Sequence, residues 1–194
     1  MAADANFGAA LHALTSALED LGTPSMIIGG VAVIASGVPR QTIDIDATIL
    51  GRTTSLEDAI RAFERHDILP RVADALNFAR ERQLLLLQHR PTGVTIEVSF
   101  AWLPFEEEAL SRAREIEIHG VIARVAQPED LIIYKAAAWR DRDRADIERL
   151  LVLHLGNIDI ERVRALVSDI ALALDDPGRV DAFDAIVDRA RQAR

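Results

Sequence analysis

Two aspartates, Asp44 and Asp46, stand two residues apart in a segment that alternates polar and apolar side chains, Gln41 to Leu50. This alternation predicts a β-strand, in which residues two apart point to the same face. Ile43 and Ile45 are then expected to point to the opposite face, into a core. Neighbouring carboxylates repel each other unless a positive charge lies between them. Because oxygen ligands suit magnesium, the pair predicts a divalent-metal site.

A third carboxylate, Glu97, lies in a second short apolar segment, Val94 to Phe100. Ile96 and Val98 flank it and are expected to point away from it, toward a core. An acid in such a strand is costly unless it is paired or bound to a metal. If the two strands are neighbours, three acids converge, and three acids beside a glycine turn are the arrangement used for two-metal nucleotidyl transfer.

Gly29 and Gly30 follow the short apolar run Ser25 to Ile28 and precede a helical pattern from Val31 to Ser36. This order predicts a strand, a glycine turn and a helix. Glycine lets the backbone approach a ligand closely. The start of the helix offers free N–H groups and the positive end of the helix dipole, which suit a phosphate.

The remaining patterns predict an α+β fold, a small mixed β-sheet with flanking helices followed by a helical C-terminal region. Two hairpins are expected, one of Leu84–His89 with Val94–Phe100 and one of Glu115–Ile118 with Val121–Val125. Ser55 is the expected N-cap of a helix that reaches about Arg65. From Pro128 onward the patterns are helical. We therefore predict an α/β core in residues 1–126 and a helical region in residues 127–194, packed on the core.

Composition excludes several classes of site. The 194 residues contain no cysteine, so a disulfide framework, a thiolate zinc site and a cysteine nucleophile are impossible. The sequence has neither a P-loop nor a dinucleotide-binding glycine motif. It also lacks a signal-peptide pattern and an apolar run long enough to cross a bilayer, so we expect a soluble cytoplasmic protein. With a net charge of −9, any nucleic-acid partner must meet a local basic patch.

The spacing of these residues resembles the nucleotidyltransferase superfamily, which has the polymerase-beta-like fold. The matching positions are Gly29-Gly30, Ala32, Gly37, Arg40, Thr42 and Asp44-Ile45-Asp46. The chain looks most similar to a bacterial branch that includes toxins of abortive-infection and related toxin–antitoxin systems. A later segment extends the resemblance, with Gln127 to Lys135, Ala138, Arg140, Arg142-Asp143 and Asp146-Ile147. Many members have Gly-Ser in place of Gly29-Gly30, and the third acid is more often Asp than Glu.

The resemblance implies a site for a nucleoside triphosphate such as ATP and for two magnesium ions. The β- and γ-phosphates would lie over Gly29 and Gly30. Asp44 and Asp46 would hold one ion, which bridges the triphosphate. Glu97, together with Asp46, would hold a second ion that activates an acceptor hydroxyl for in-line attack on the α-phosphorus.

The resemblance also implies nucleotide-binding roles for four residues outside the acidic trio. Lys135 would reach the triphosphate as a point charge. Arg40 would contact a phosphate as a fork-shaped donor. Asp146 would orient either Lys135 or the sugar of the nucleotide, and Thr42 belongs to the same binding motif.

Four functions are compatible with this reading. The first is nucleotide transfer to an RNA, in particular a tRNA end, by the toxin of a toxin–antitoxin pair whose partner is a cognate antitoxin. The others are nucleotidylation of a small molecule such as an antibiotic, a degenerate module that binds a nucleotide or a protein without catalysis, and nucleotidylation of a protein. Arg140, Arg142 and Arg144 form either a salt-bridged helix surface or a basic strip for RNA. Trp102 and Trp139 are expected in a core or a domain seam.

Overall fold

A computed structural model describes residues 2–193 of the chain, without the side chains of residues 2 and 3. Its β-strands form one mixed sheet in the order β3-β4-β5-β2-β1-β7-β6. β2 pairs parallel with β5 and antiparallel with β1, and β1 pairs parallel with β7. The strands are β1 (Ser25–Ile28), β2 (Asp44–Leu50), β3 (Ile68–Pro70), β4 (Leu84–His89), β5 (Thr95–Ala101), β6 (Arg114–Ile118) and β7 (Val121–Val125).

Helices precede, connect and follow these strands. They are α1 (Ala2–Leu21), α2 (Gly29–Ala35), α3 (Leu56–Glu64), α4 (Ala75–Arg82), α5 (Pro104–Arg112), α6 (Pro128–Ala138), α7 (Asp141–His154), α8 (Ile160–Ala173) and α9 (Gly178–Gln192). Two short 3-10 turns, Gly51–Thr53 and Leu155–Asn157, follow β2 and α7. Over residues 2–193, none of the helices combines the length and the apolar character that a membrane crossing requires.

The chain divides into two compact units. The first contains the described residues up to Ala32 together with Gln41–Ala126, and the second contains Val33–Arg40 together with the described residues from Gln127 onward. The first unit therefore holds the sheet, and the second holds the C-terminal helices.

In the first unit, alternation along the central strands separates a buried face from a partly open one. Ile45, Ile96 and Val98 are fully buried, whereas Asp44 and Glu97 are only half-buried. Removing aliphatic side chains of this kind from water contributes about 1.5–3 kcal/mol each. The buried face therefore holds the strands in place and presents the acidic residues on the other face.

The second unit is built on four helices, each packed against two of the others. α6 packs against α7 and α8, and α9 packs against α7 and α8. Pro128 begins α6 at a position where its missing N–H costs nothing. At the other end of α6, the buried Arg179 donates from Nη1 to the carbonyls of Ala136 and Ala137. These bonds satisfy carbonyls that a helix end leaves without intrahelical partners.

The predicted fold class is confirmed, as are both hairpins and the pairing of the two acidic strands. Ser55 does cap α3, since its hydroxyl accepts from the amide of Asp58 at 3.0 Å. Short elements were missed, namely α4, α5 and the three-residue strand β3. Their sequences are too short, or too polar, to show a clear period.

Three local expectations were wrong. β2 begins at Asp44 instead of Gln41, so Ile43 precedes the strand and is 84% exposed instead of entering the core. Gly29 and Gly30 form the first turn of α2, where we had expected a separate turn before a helix. Trp102 lies just after β5 and is 68% exposed, outside any core.

Candidate active site

Asp46 and Glu97 are direct neighbours across the parallel pair of β2 and β5. Adjacent strands lie about 4.8 Å apart, and opposed residues share a face of the sheet. Asp44, two residues before Asp46, lies on that same face. The sheet pairing therefore brings the three predicted carboxylates to one surface of the first unit.

Gly29 packs directly against the carboxylate of Asp46. A Cβ atom built on Gly29 would lie 1.8 Å from Asp46 Oδ2, and the residue has a φ of +63°. Glycine is therefore required at this position for two reasons. A side chain would clash with Asp46, and L residues are strained at this φ. The position of Asp46 explains this glycine without reference to a bound phosphate. Gly30, the second of the pair, is buried in α2.

Thr42 and Arg71 contact two of the three acids. The hydroxyl of Thr42 donates to Asp44 Oδ1 at 2.7 Å, and the guanidinium of Arg71 lies 3.6 Å from Glu97 Oε1. Within residues 2–193, no three His, Asp or Glu side chains converge closely enough to hold a metal ion.

The donor set nevertheless fits magnesium. Asp44, Asp46 and Glu97 supply hard oxygen ligands on one face, and all three are half-buried, within reach of solvent. Asp46 lies between the other two acids on the sheet. It belongs to both predicted metal-binding pairs, one with Asp44 and one with Glu97. These three residues are the ones that would hold the metal.

The second unit contains a buried cluster of charges around Asp146. Lys135 Nζ lies 2.7 Å from Asp146 Oδ2 and 3.5 Å from Asp143 Oδ1. Arg40 Nη1 donates to the same Oδ2 atom of Asp146 at 2.5 Å. The side chains of Lys135 and Asp146 are only 8% and 3% exposed. Two cations thus share one carboxylate oxygen.

Helix α7 positions this cluster. Asp143 and Asp146 are three residues apart on α7, so they lie on one side of the helix. Asp143 also accepts the backbone amide of Arg140 at 3.1 Å, which caps the start of α7. Lys135 comes from α6, so the ion pairs join α6, α7 and the segment that ends at Arg40. The predicted nucleotide-binding roles of Arg40, Lys135 and Asp146 stay predictions.

The three arginines near the start of α7 are exposed. Arg144 pairs with Asp141, and Arg140 Nε lies 4.0 Å from Asp143 Oδ2. Trp139, expected in a core or seam, is half-buried between Arg144 and Arg179, whose guanidinium carbons lie 6.0 Å and 5.5 Å from its ring. Such stacking is a cation–π interaction.

Arg71 is a residue of the acidic face that the sequence patterns do not predict. The segment around Arg71 shows no regular hydrophobic pattern. Arg71 itself directly follows the three-residue strand β3. Its backbone amide donates to the carbonyl of Leu86 at 2.9 Å, which extends the β3–β4 pairing by one residue. Only the sheet order reveals that this arginine lies on the acidic face.

Comparison with known sequences identifies a family. The sequence family described as "Nucleotidyltransferase of unknown function" (DUF6036) matches residues 9–190, nearly the whole chain. No curated protein matches this chain with significance.

Solved structures share the fold. The chain is similar to the solution structure of the antibiotic-resistance factor ANT(2″)-Ia, with a TM-score of 0.62, 20% identity and coverage of 89% of this chain and 96% of that one. The crystal structure of ANT(2″)-Ia in complex with adenylyl-2″-tobramycin gives a TM-score of 0.56, 20% identity and coverage of 86% and 98%. The crystal structure of an antigenic nucleotidyltransferase-like protein from Paracoccidioides brasiliensis gives a TM-score of 0.53 and 16% identity. The match covers 90% of this chain and 92% of that one.

The contact between Gly29 and Asp46 predicts a difference between two glycine substitutions. Gly22 has a φ of +65° with no atom within 4 Å of a built Cβ, so Gly22→Ala carries backbone strain alone, about 1–2 kcal/mol. Gly29→Ala adds overpacking against Asp46, about 1–3 kcal/mol more. Urea denaturation measures both. Equal losses of unfolding free energy would contradict the close contact.

The buried cluster predicts a second difference, between two aspartates of α7. Asp146→Asn removes the charge shared by Lys135 and Arg40, and breaking a buried ion pair costs about 3 kcal/mol. Asp141→Asn is the matched control, because Asp141 is 95% exposed and such pairs contribute about 0–1 kcal/mol. Urea denaturation of both variants, with circular dichroism as a check of folding, compares them. A similar, small loss in both would refute the structural role of Asp146.

Proposed function

The chain belongs to the nucleotidyltransferase family of unknown function DUF6036, and from this premise we propose that it transfers a nucleoside monophosphate from a nucleoside triphosphate to an acceptor hydroxyl. The observation that carries the proposal is the opposed pair Asp46 and Glu97, with Asp44 on the same face. In this proposal the enzyme works in the cytoplasm and uses ATP or another triphosphate.

The chemistry needs positioning and charge balance more than covalent participation. The acceptor oxygen forms a bond to the α-phosphorus, the bond from that phosphorus to the bridging oxygen breaks, and pyrophosphate leaves. Asp46 and Glu97 provide carboxylate oxygens on this face that can take the hydroxyl proton. Gly29 lets α2 begin close to Asp46, and the hydroxyl of Thr42 fixes Asp44.

Asp44, Asp46 and Glu97 would hold two magnesium ions, which when bound neutralise the triphosphate and the developing charge. The chain's own contribution is to keep the three acids on one rigid sheet surface. For Lys135, Arg40 and Asp146 we propose the nucleotide-binding roles that the family resemblance implies.

The acceptor in this proposal is an RNA end, and the specific form is a tRNA end modified by the toxin of a toxin–antitoxin pair. Two features support it. The motif resemblance is strongest to a branch that includes such toxins, and three exposed arginines near the start of α7 could contact RNA phosphates.

A second acceptor class is a cationic small molecule. Its support is the net charge of −9, which attracts cations, and the shared fold with ANT(2″)-Ia, which was solved with adenylyl-2″-tobramycin. Transfer to tobramycin in place of RNA would select this class.

The proposal predicts label transfer that depends on the three acids. Purified protein, magnesium and each α-labelled nucleoside triphosphate are incubated with total tRNA, with tobramycin and with a mixture of proteins as separate acceptors. Loss of several kcal/mol of charge stabilisation should slow Asp44→Asn, Asp46→Asn and Glu97→Gln by at least about a hundredfold.

Glu117→Gln is the matched control, since Glu117 is an exposed acid on β6, at the far edge of the same sheet. It should retain the wild-type rate. Circular dichroism establishes that each variant is folded. Transfer that persists in Asp46→Asn, or no transfer to any acceptor by the folded wild type, would refute the proposed function.

A further inference from the structure

Arg71 is a cation on the acidic face that neither the sequence motif nor the proposed chemistry accounts for. It lies directly after β3, opposite Leu86 of β4, and Leu86 is opposite Glu97 of β5. Arg71, Leu86, Glu97 and Asp46 therefore form one continuous row from the end of β3 across β4, β5 and β2. Opposed residues share a face, so the arginine lies on the same side of the sheet as the acids.

The side chain of Arg71 reaches across β4 to Glu97. Two strand spacings amount to about 10 Å, and the guanidinium ends 3.6 Å from Glu97 Oε1 with 35% of its side chain exposed. A metal bound to Glu97 would compete with the guanidinium for that carboxylate. Arg71 would then offer a fork-shaped set of donors to an acceptor group next to Glu97.

The surface beside Arg71 is half open and mixed in character. Leu69 and Leu86 are half-buried aliphatic side chains of this face, while Gln88, opposite Leu69, is exposed. An aliphatic surface next to a guanidinium suits a nucleoside whose sugar packs on the leucines and whose phosphate pairs with the arginine. A polycationic acceptor would instead be repelled by the arginine.

We propose that Arg71 is a specificity-determining residue that binds the phosphate adjacent to the acceptor hydroxyl of an RNA. This inference rests on the proposed function, because it takes Glu97 as the acid nearest the acceptor. It assigns the substrate class through one charge: the arginine favours an anionic acceptor and disfavours a cationic one.

RNA binding without metal or nucleotide tests this separately from transfer. The probe is a fluorescein-labelled, single-stranded RNA oligonucleotide with a free 3′-hydroxyl, followed by fluorescence anisotropy. In the wild type, Glu97 engages Arg71, so Glu97→Gln should release the arginine and tighten RNA binding by about tenfold, as expected for a charge-assisted contact.

Arg71 should carry that gain. The double variant Arg71→Gln/Glu97→Gln should lose the tighter RNA binding. The steepness of log K against log salt should be smaller by about 0.7 than in Glu97→Gln, because one phosphate contact is lost. Arg71→Lys/Glu97→Gln should keep most of the gain. The matched control is Arg80→Gln/Glu97→Gln. Arg80 is another exposed arginine that pairs with a glutamate, since its Nη2 lies 2.8 Å from Glu57 Oε1. This control should bind RNA like Glu97→Gln.

Two results would overturn the inference. One is RNA binding by Arg71→Gln/Glu97→Gln with the affinity and salt slope of Glu97→Gln. The other is tobramycin binding to Arg71→Gln that is no stronger than binding to the wild type, because the arginine is proposed to disfavour a cationic acceptor. Neither result depends on turnover. If label transfer is intact but RNA binding does not depend on Arg71, the proposed function stands and this inference fails. If RNA binding depends on Arg71 but no label is transferred, the proposed function fails.

Discussion

The parallel pairing of β2 with β5 is the constraint on which the candidate site depends. It sets Asp46 opposite Glu97 and keeps Asp44 on the same face. Ile45 and Ile96, opposite each other on the buried face, hold that register. A slip by one residue would turn every one of these side chains to the other side of the sheet. Aliphatic burial on one face thus stabilises an acidic surface on the other.

Concentrated negative charge is balanced differently in the two units. In the first unit, Thr42 and Arg71 contact two of the acids, and Gly29 makes room for the third. The three carboxylates lie on one face without closing around a single point. In the second unit, Lys135 and Arg40 neutralise the buried Asp146. The first arrangement places its carboxylates on a half-open face, whereas the second is buried and neutralised by protein charges.

The acidic face could be predicted from the sequence because residue alternation defines it, and the hairpins could be predicted from their turns. The contacts between residues that are far apart in the sequence could not be predicted from it. Arg71 reaches Glu97 only because β4 lies between β3 and β5, a fact of sheet order. Ile43 was assigned to the core because the alternation continues past the start of the strand. Gly29 stays a predicted phosphate-binding residue, and its contact with Asp46 gives a steric reason for glycine that the sequence does not contain.

The most direct test of the metal-site claim is a titration of the protein with Mn²⁺ by electron paramagnetic resonance, in the presence of a non-hydrolysable ATP analogue. Mn²⁺ takes oxygen ligands as magnesium does. We predict that Asp46→Asn weakens Mn²⁺ binding by at least about tenfold relative to the wild type, while Glu117→Gln binds as the wild type does. Equal Mn²⁺ affinity in the wild type and in folded Asp46→Asn would contradict the assignment of this face as the catalytic metal site.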